Sequence, residues 1–278
     1  MIVSMTTWGL SWTNAKILSQ FTDPLTLMVW RFLLAFVSFA PIVYLTKNSF
    51  KISFKGFIFV LVNSVFMVIY NYFFFKGTQV GLAGVGGVLV TTLNPILTTL
   101  FSGLFFGERL IKKDWLGLIL GLIGGILITQ FWNFDIGLFF QSGNLYFIMA
   151  SLSWVTVTIV TSRSKDSISF IGYSFWSYVL AFFFCLPFST VDQFLGVIDL
   201  GFIFWLNLIF LGVGAMSLGT SIYFYASLKL GPKNASAYIF IVPITALGFA
   251  VYVLSEPLFI STIIGGFFGI AAVYLINK

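Results

Sequence analysis

Charged residues are scarce in this sequence, and two chemically versatile residue types are absent or nearly so. Only 8% of the 278 residues are Asp, Glu, Lys or Arg, no histidine is present, and Cys185 is the single cysteine. These absences exclude a disulfide framework and a thiolate metal site, so we expect neither a metal nor another cofactor. They also argue against an enzyme, because no His-based nucleophile or paired carboxylate site can be assembled within the apolar runs.

Apolar residues dominate what remains, with 59% hydrophobic residues and a mean hydropathy of +1.06. Both values lie far outside the range of water-soluble domains. Because about 20 apolar residues cross the ~30 Å hydrocarbon core, the runs between charges predict an all-α integral membrane protein with ten transmembrane helices. The predicted spans are 1–20, 24–46, 56–76, 80–107, 113–131, 142–162, 168–188, 202–228, 232–254 and 258–277. Their short loops place the function within the lipid bilayer.

The basic residues are distributed unevenly between the two ends of these spans. Eleven Lys and Arg side chains fall on one side, whereas only Lys16 and Lys76 fall on the other. The positive-inside rule therefore predicts a multi-pass protein of the cell (inner) membrane with both termini in the cytoplasm. We expect no nucleic-acid partner, because the cations are spread over short loops and form no patch interleaved with aromatic residues.

The second half of the chain resembles the first when the sequence is shifted by about 148 residues. The alignment superposes Pro95 on Pro243, Phe101 on Phe249, Gly117 on Gly265 and Gly121 on Gly269. We therefore predict two five-helix repeats, 1–131 and 142–278. Because five is odd, the second repeat must enter the membrane from the opposite side, and inverted repeats are typical of carriers that work by alternating access. A channel or a non-transporting membrane scaffold is the alternative.

Short motifs strengthen this interpretation when they are read in order along the chain. They are Trp8-Gly9 with Trp12, Trp30-Arg31-Phe32, Asn94-Pro95 leading to Gly107-Glu108-Arg109-Leu110, Ser151-Leu152-Ser153-Trp154, Ala235-Ser236 and Glu256-Pro257. Together with the duplication, they resemble the EamA family of the drug/metabolite transporter superfamily over nearly the whole chain. The resemblance implies a substrate cavity at the centre of the bundle, export or exchange of metabolites, and no ATP hydrolysis.

Polar and aromatic residues recur at helical spacing along several predicted spans and mark a candidate substrate cavity. The candidates are Trp12, Asn63, Tyr70, Asn71, Thr91, Asn94, Trp154, Thr158, Ser221 and Tyr225. Hydrogen bonds between helices and aromatic belts at the membrane interface are the alternative explanation for such residues. A cavity of this composition suits a neutral or zwitterionic small molecule such as an amino acid, and a multidrug exporter could use the same cavity.

Arg31 is the one cation well inside a predicted span, about 10 Å along the helix from Pro24. It could clamp a substrate carboxylate, or it could satisfy backbone carbonyls or extend to the interface. Pro95 and Pro243 remove a backbone N–H from two equivalent spans, so they predict either gates or static packing kinks.

Glycines and two glutamates complete the set of candidate structural residues. Spacing of four residues at Gly117, Gly121 and Gly125, and again at Gly265 and Gly269, predicts close packing of the fifth and tenth spans, either within the bundle or in a homodimer. Glu108 and Glu256 end the fourth and ninth spans, where each is expected to cap the helix that follows it.

Overall fold

The computed structural model describes residues 1–48, 50–106, 110–130 and 142–276, and every regular element in these ranges is helical. We number the α-helices in chain order. They are α1 Ile2–Leu18, α2 Pro24–Leu45, α3 Phe54–Val80, α4 Ala83–Phe106, α5 Lys112–Ile128, α6 Asn144–Arg163, α7 Phe170–Cys185, α8 Val191–Gly196, α9 Phe202–Ile209, α10 Ser221–Leu230, α11 Pro232–Ala237, α12 Ile241–Leu254 and α13 Ile260–Ile276. Gly107, Glu108 and Arg109 of the motif after the fourth predicted span lie outside the described residues.

The helices coincide with the predicted spans, but not all are equally long. Seven helical segments of the described chain have at least 19 residues and enough apolar character to cross a membrane, which confirms an all-α integral membrane protein. The segments at the first, fifth and tenth predicted spans, α1, α5 and α13, have 17 residues each. At 1.5 Å per residue these reach about 26 Å, slightly less than the hydrocarbon core. The count of ten spans therefore stays a prediction.

Two predicted spans are not continuous α-helices. The span predicted at 202–228 consists of α9, a π-helix over Phe210–Thr220, and α10. The span predicted at 232–254 consists of α11, a 3₁₀ turn over Tyr238–Phe240, and α12. Each interruption changes which side chains share a face, because both turns depart from the 3.6-residue α period.

Helix starts follow from local sequence. The Asp23 carboxylate accepts hydrogen bonds from the amides of Leu25 and Thr26, at 2.9 and 3.1 Å, and Pro24 occupies the first helical position. An acidic cap satisfies amides that lack an intrahelical acceptor, and proline at this position loses nothing. These two residues fix where α2 begins and thereby the depth at which Arg31 lies.

The helix packing has a pairwise correspondence between the two halves of the chain. Helix α1 packs against α12 in the same way that α6 packs against α4, and α2 packs against the π-helix as α7 packs against α3. Helices α5 and α13 pack against each other, as do α2 and α7. If the first and second halves of the chain are exchanged, each of these helix contacts maps either onto another contact of the set or onto itself. The opposite membrane orientation of the halves stays a prediction.

The glycines of α5 and α13 face each other inside the chain. A Cβ added at Gly124 would lie 2.7 Å from the carbonyl oxygen of Gly265, and one at Gly117 would lie 2.8 Å from that of Ala272. Such distances are shorter than real Cβ contacts, so the backbones approach as closely as glycine allows. These glycines serve packing within the bundle, and a homodimer through them stays a prediction.

Candidate functional site

A buried cavity lies at the centre of the bundle, between α1, α2, α3, α4, α6 and the π-helix. Its volume is about 20 Å³, which is room for about one water molecule. The side chains that line it are Trp8, Ser11, Trp12, Arg31, Tyr70, Thr91, Asn94, Trp154, Met216 and Thr220. Five predicted cavity residues are brought together here: Trp12, Tyr70, Thr91, Asn94 and Trp154.

Aromatic rings contributed by three helices form the wall of this cavity. The ring centroids of Trp8 and Trp154 lie 5.1 Å apart at 86°, and those of Tyr70 and Trp154 lie 4.6 Å apart at 52°. Trp12 meets Phe74 edge to face at 4.6 Å. These are favourable tilted arrangements, so the rings hold one another in place.

Arg31 reaches the cavity and is only 4% exposed. Its Nη1 donates a hydrogen bond of 2.8 Å to Oδ1 of Asn71, and the Asn71 Nδ2 donates to the carbonyl of Met67 at 2.8 Å, which fixes the orientation of the amide. The guanidinium carbon lies 5.1 and 5.5 Å from the ring centroids of Phe74 and Phe75. Arg31 Nε has no hydrogen-bond partner. The side chain therefore neither extends to the interface nor bonds backbone carbonyls through Nε.

The contacts of Arg31 offset the cost of its burial only in part. Placing an arginine at the centre of a transmembrane helix costs about 2.5–3.5 kcal/mol on translocon scales and more by other measures. A hydrogen bond to a charged group contributes about 1.5–3 kcal/mol, and each cation–π contact about 0.5–2 kcal/mol. These are neutral partners, and no carboxylate is among the residues that line the cavity. The positive charge is thus solvated but not neutralised.

A stripe of polar side chains runs along α4 away from the cavity. Asn94, Thr98 and Ser102 follow one another at four-residue spacing, each is at most 3% exposed, and Asn94 Oδ1 and both hydroxyls have no hydrogen-bond partner. By contrast, the Thr91 hydroxyl donates to the carbonyl of Gly87, one turn earlier. Buried polar atoms without partners are rare and costly, so this stripe is an exceptional feature of α4.

The π-helix supplies two cavity residues that the sequence did not indicate, Met216 and Thr220. Side chains of α1 and α7 donate hydrogen bonds to its carbonyls: Ser4 Oγ donates to Gly219 O at 2.8 Å, Trp8 Nε1 to Ala215 O at 3.2 Å and Tyr178 Oη to Met216 O at 3.0 Å. Nothing in the sequence of 210–220 signals the π turn.

The remaining predicted cavity residues lie elsewhere. Asn63 bonds Ser177 at 2.9 Å, Thr158 bonds Tyr223 at 2.9 Å, and Ser221 bonds Tyr178 at 2.8 Å, so all three act in contacts between helices. Asn71 supports Arg31 and does not line the cavity. Tyr225 is 45% exposed and packs on Phe170. Its predicted place in the cavity is not the observed one, because the cavity face of this segment carries Met216 and Thr220.

The two prolines differ in their surroundings. Helix α4 continues through Pro95, which is buried next to Asn94. Pro243 follows the 3₁₀ turn Tyr238–Phe240 and lines an apolar groove of about 570 Å³ on the outside of α12 and α13, away from the central cavity. The symmetry seen in the sequence is therefore not matched locally, and a gating role for either proline stays a prediction.

One end of the bundle is closed by a pair of side chains at the turn between α3 and α4. The Glu256 carboxylate accepts hydrogen bonds of 2.8 Å from the amides of Ala83 and Gly84, and the Lys16 ammonium donates to the carbonyl of Gly81 at 2.8 Å. Glu256 therefore caps α4, whereas the sequence predicted that it would cap the helix that follows it. The first amides of α4 lack intrahelical acceptors and favour a negative charge. We call this end the Glu256 end.

The opposite end contains a vestibule of about 460 Å³. Its polar and charged lining includes Ser102, the last member of the α4 stripe, and side chains at the ends of α6 and α10. The charged members are Arg163, Lys165, Asp166 and Lys229. Asn94 and Ser102 are eight residues apart, so about 12 Å of α4 separates the central cavity from this vestibule.

The bundle and its internal polar cavity define a polytopic helical membrane protein. The model of the EamA-like transporter family matches residues 1–130 and 141–278, so the chain belongs to this family, which is a family of transporters and not of enzymes. The two matched segments cover both halves of the chain.

Similar proteins agree with this assignment. An uncharacterized transporter of Archaeoglobus fulgidus is 26% identical over 100% of this chain and 97% of its own length. The uncharacterized transporter YoaV of Bacillus subtilis is 25% identical over 95% of this chain and 91% of its own length. A crystal structure that covers 99% of this chain and 94% of its own has a TM-score of 0.68 at 15% identity, which supports the fold alone.

Proposed function

We propose that this chain is a carrier that exports or exchanges a small metabolite, such as an amino acid, by alternating access. The observation that carries the proposal is a buried aromatic and polar cavity between a closed end and a vestibule. A carrier needs a central site that opens to one side at a time. The pairwise correspondence of helix contacts between the halves supports this mechanism, because two similar halves can exchange their arrangements.

Closure of the Glu256 end supports a state of the transport cycle in which the cavity is shut at this end. Beneath the Glu256 cap, Gly84 and Gly87 of α4 approach α12 so closely that an added Cβ would lie 3.1 Å from Ala250 Cβ and 2.4 Å from Ala246 Cβ. Phe147 packs over Gly86 in the same layer. Separation of α4 from α12 would open the cavity at this end.

The α4 stripe supports a route from the cavity to the vestibule. Asn94 lines the cavity and Ser102 lines the vestibule, with Thr98 between them. In the closed arrangement their polar atoms lack partners, whereas water or substrate would satisfy them if the route opened. Hydration of this stripe would therefore favour the open state.

The vestibule carries three of the basic side chains on which the predicted orientation depends. With both termini in the cytoplasm of a cell with an inner membrane, the vestibule would face the cytoplasm and the Glu256 end the outside. Labelling of a cysteine introduced at the exposed Lys55 by a membrane-impermeant maleimide tests this orientation. Labelling in intact cells would contradict it, and labelling only after permeabilisation is expected.

A multidrug exporter is the second candidate function, favoured by the aromatic wall of Trp8, Tyr70 and Trp154. A channel or a membrane scaffold is the third. Counterflow into proteoliposomes separates them: a carrier gives saturable, trans-stimulated uptake of a labelled amino acid, and a multidrug exporter gives uptake of several unrelated apolar cations. Flux that rises linearly with concentration, or no flux for any solute, would contradict the carrier.

A further inference from the structure

We propose that the central cavity binds a small organic carboxylate that carries an amino or hydroxyl group, with the Arg31 guanidinium holding the carboxylate and Asn94 accepting the second group. This inference rests on the proposed carrier function and deepens it by naming the substrate class. It is carried by two side chains that line this cavity, Arg31 and Asn94, whose Nε and Oδ1 atoms have no hydrogen-bond partner.

Arg31 provides the cavity with a cation. Arg31 is buried at the cavity, its Nη1 is held by Asn71 and its Nε has no partner. Among the described residues that line the cavity, no Asp or Glu is present to pair with this guanidinium. A fixed guanidinium with a free donor matches a carboxylate, which can accept two parallel hydrogen bonds from it.

Asn94 provides the cavity with a hydrogen-bond acceptor. Asn94 lines the same cavity, and its Oδ1 is buried without a hydrogen-bond partner. A free acceptor and a free cationic donor from two side chains of one cavity suit a ligand that presents a carboxylate and an N–H or O–H donor on neighbouring atoms. Amino acids and hydroxy acids have this arrangement, whereas simple amines and cationic drugs lack the carboxylate.

The aromatic wall of the cavity sets the character of the rest of the ligand. Trp8, Trp12 and Trp154 present ring surfaces to the cavity, so the remainder of the ligand is apolar. The present volume of about 20 Å³ is too small for such a ligand. Binding must therefore accompany an opening of the cavity, as the carrier mechanism requires.

A purely structural Arg31 is the competing explanation, with the two cation–π contacts and Asn71 as its whole purpose. The two explanations differ in what binds. If Arg31 is structural, a carboxylate ligand and its carboxamide should bind equally well. If Arg31 holds the ligand, conversion of the carboxylate to an amide should abolish binding.

The test is ligand-induced thermal stabilisation of the purified full chain in nanodiscs, which requires no transport. The probes are leucine, phenylalanine and 2-hydroxy-4-methylpentanoate, each compared with its carboxamide. At least one carboxylate is expected to raise the melting temperature in a saturable manner, and its carboxamide is not. Equal shifts for the members of each pair, or no shift for any of the three carboxylates, would overturn the proposal.

Variants then assign the effect to residues. Arg31→Met should weaken the binding of the stabilising carboxylate about 30-fold or more, and Arg31→Lys should weaken it less because the charge remains. Lys55→Met removes a cation from the exposed start of α3 and should leave binding unchanged. Unchanged affinity in Arg31→Met would overturn the assignment.

Asn94→Asp keeps the test decisive if Arg31→Met does not fold. The new carboxylate would neutralise Arg31 within the cavity, so we expect a higher melting temperature without ligand and at least tenfold weaker carboxylate binding. Unchanged binding would again overturn the proposal. Carboxylate binding together with an absence of counterflow would contradict the carrier function and leave the assigned ligand class intact.

Discussion

The carboxylate of Glu256 accepts a hydrogen bond from the backbone amide of Gly84, a residue 172 positions earlier in the chain. A second bond from Ala83 makes the cap bidentate, and the Lys16 ammonium binds the adjacent Gly81 carbonyl. The turn between α3 and α4 is thus held by side chains from α1 and from the end of α12. This contact joins the two halves of the chain at one end of the bundle.

Replacement of Glu256 by Gln should destabilise the Glu256 end. The amide can accept one of the two hydrogen bonds but brings no negative charge to the start of α4, so we expect a loss of about 1–2 kcal/mol in stability. The melting temperature of the purified protein measures this loss. Asp192→Asn removes a carboxylate from the exposed helix α8 and should change the melting temperature little. An equal effect of both variants would contradict the cap.

The closed end should also open more easily in Glu256→Gln. A cysteine introduced at Ala83, in a background with Cys185 replaced by Ser, would be buried next to Glu256. We expect faster modification of this cysteine by a membrane-impermeant thiol reagent in Glu256→Gln than in the otherwise identical protein. Equal modification rates in the two proteins would show that Glu256 does not restrain the start of α4.

Neighbouring glycines of α5 offer a matched pair of substitutions. At Gly124 an added Cβ would lie 2.7 Å from the backbone oxygen of Gly265, which cannot move independently of α13, whereas at Gly125 the nearest atom is 3.8 Å away. Gly124→Ala should therefore cost about 1–3 kcal/mol through overpacking, and Gly125→Ala should be neutral or stabilising. Thermal melting compares them, and equal stability of the two variants would contradict the packing of α5 on α13.

The sequence predicted the positions of the helices better than the faces they present. Helix α2 begins where Asp23 and Pro24 indicate, because a cap and a proline act locally. On the span predicted at 202–228, Met216 and Thr220 of the π-helix line the cavity, whereas the predicted Ser221 and Tyr225 do not. The carbonyls of this π-helix are satisfied by Ser4, Trp8 and Tyr178, which are remote in sequence. Local patterns carry no record of such contacts.

The roles of polar residues within the predicted spans also could not be assigned from sequence spacing alone. Asn63, Asn71 and Asn94 all lie within predicted spans, yet Asn63 Nδ2 bonds Ser177 and Asn71 Oδ1 accepts from Arg31, while Asn94 lines the cavity. Their different roles depend on which helix lies opposite. That arrangement is set by tertiary packing, so spacing along one helix identified candidates without separating them.

Two aromatic residues that the sequence treated alike should behave differently in transport. Trp154→Ala removes a ring from the cavity wall and should reduce counterflow at least tenfold, while the protein still inserts. Tyr225 lies on the outside against Phe170, so Tyr225→Ala should retain most of the counterflow. Flux in proteoliposomes of matched protein content measures both. Normal flux in Trp154→Ala would remove this residue from the site.

The α4 stripe predicts a substitution that raises the stability of the protein and slows its transport. Thr98 is fully buried and its hydroxyl has no partner, so the isosteric change Thr98→Val removes an unsatisfied group and should raise stability by about 1 kcal/mol. The same change removes a group that would be hydrated in an open route, so counterflow should fall. Thr92→Val is the matched control, since the Thr92 hydroxyl donates to Val88 O at 2.8 Å and its loss brings no gain. A Thr98→Val protein that is more stable and transports normally would place the route away from α4.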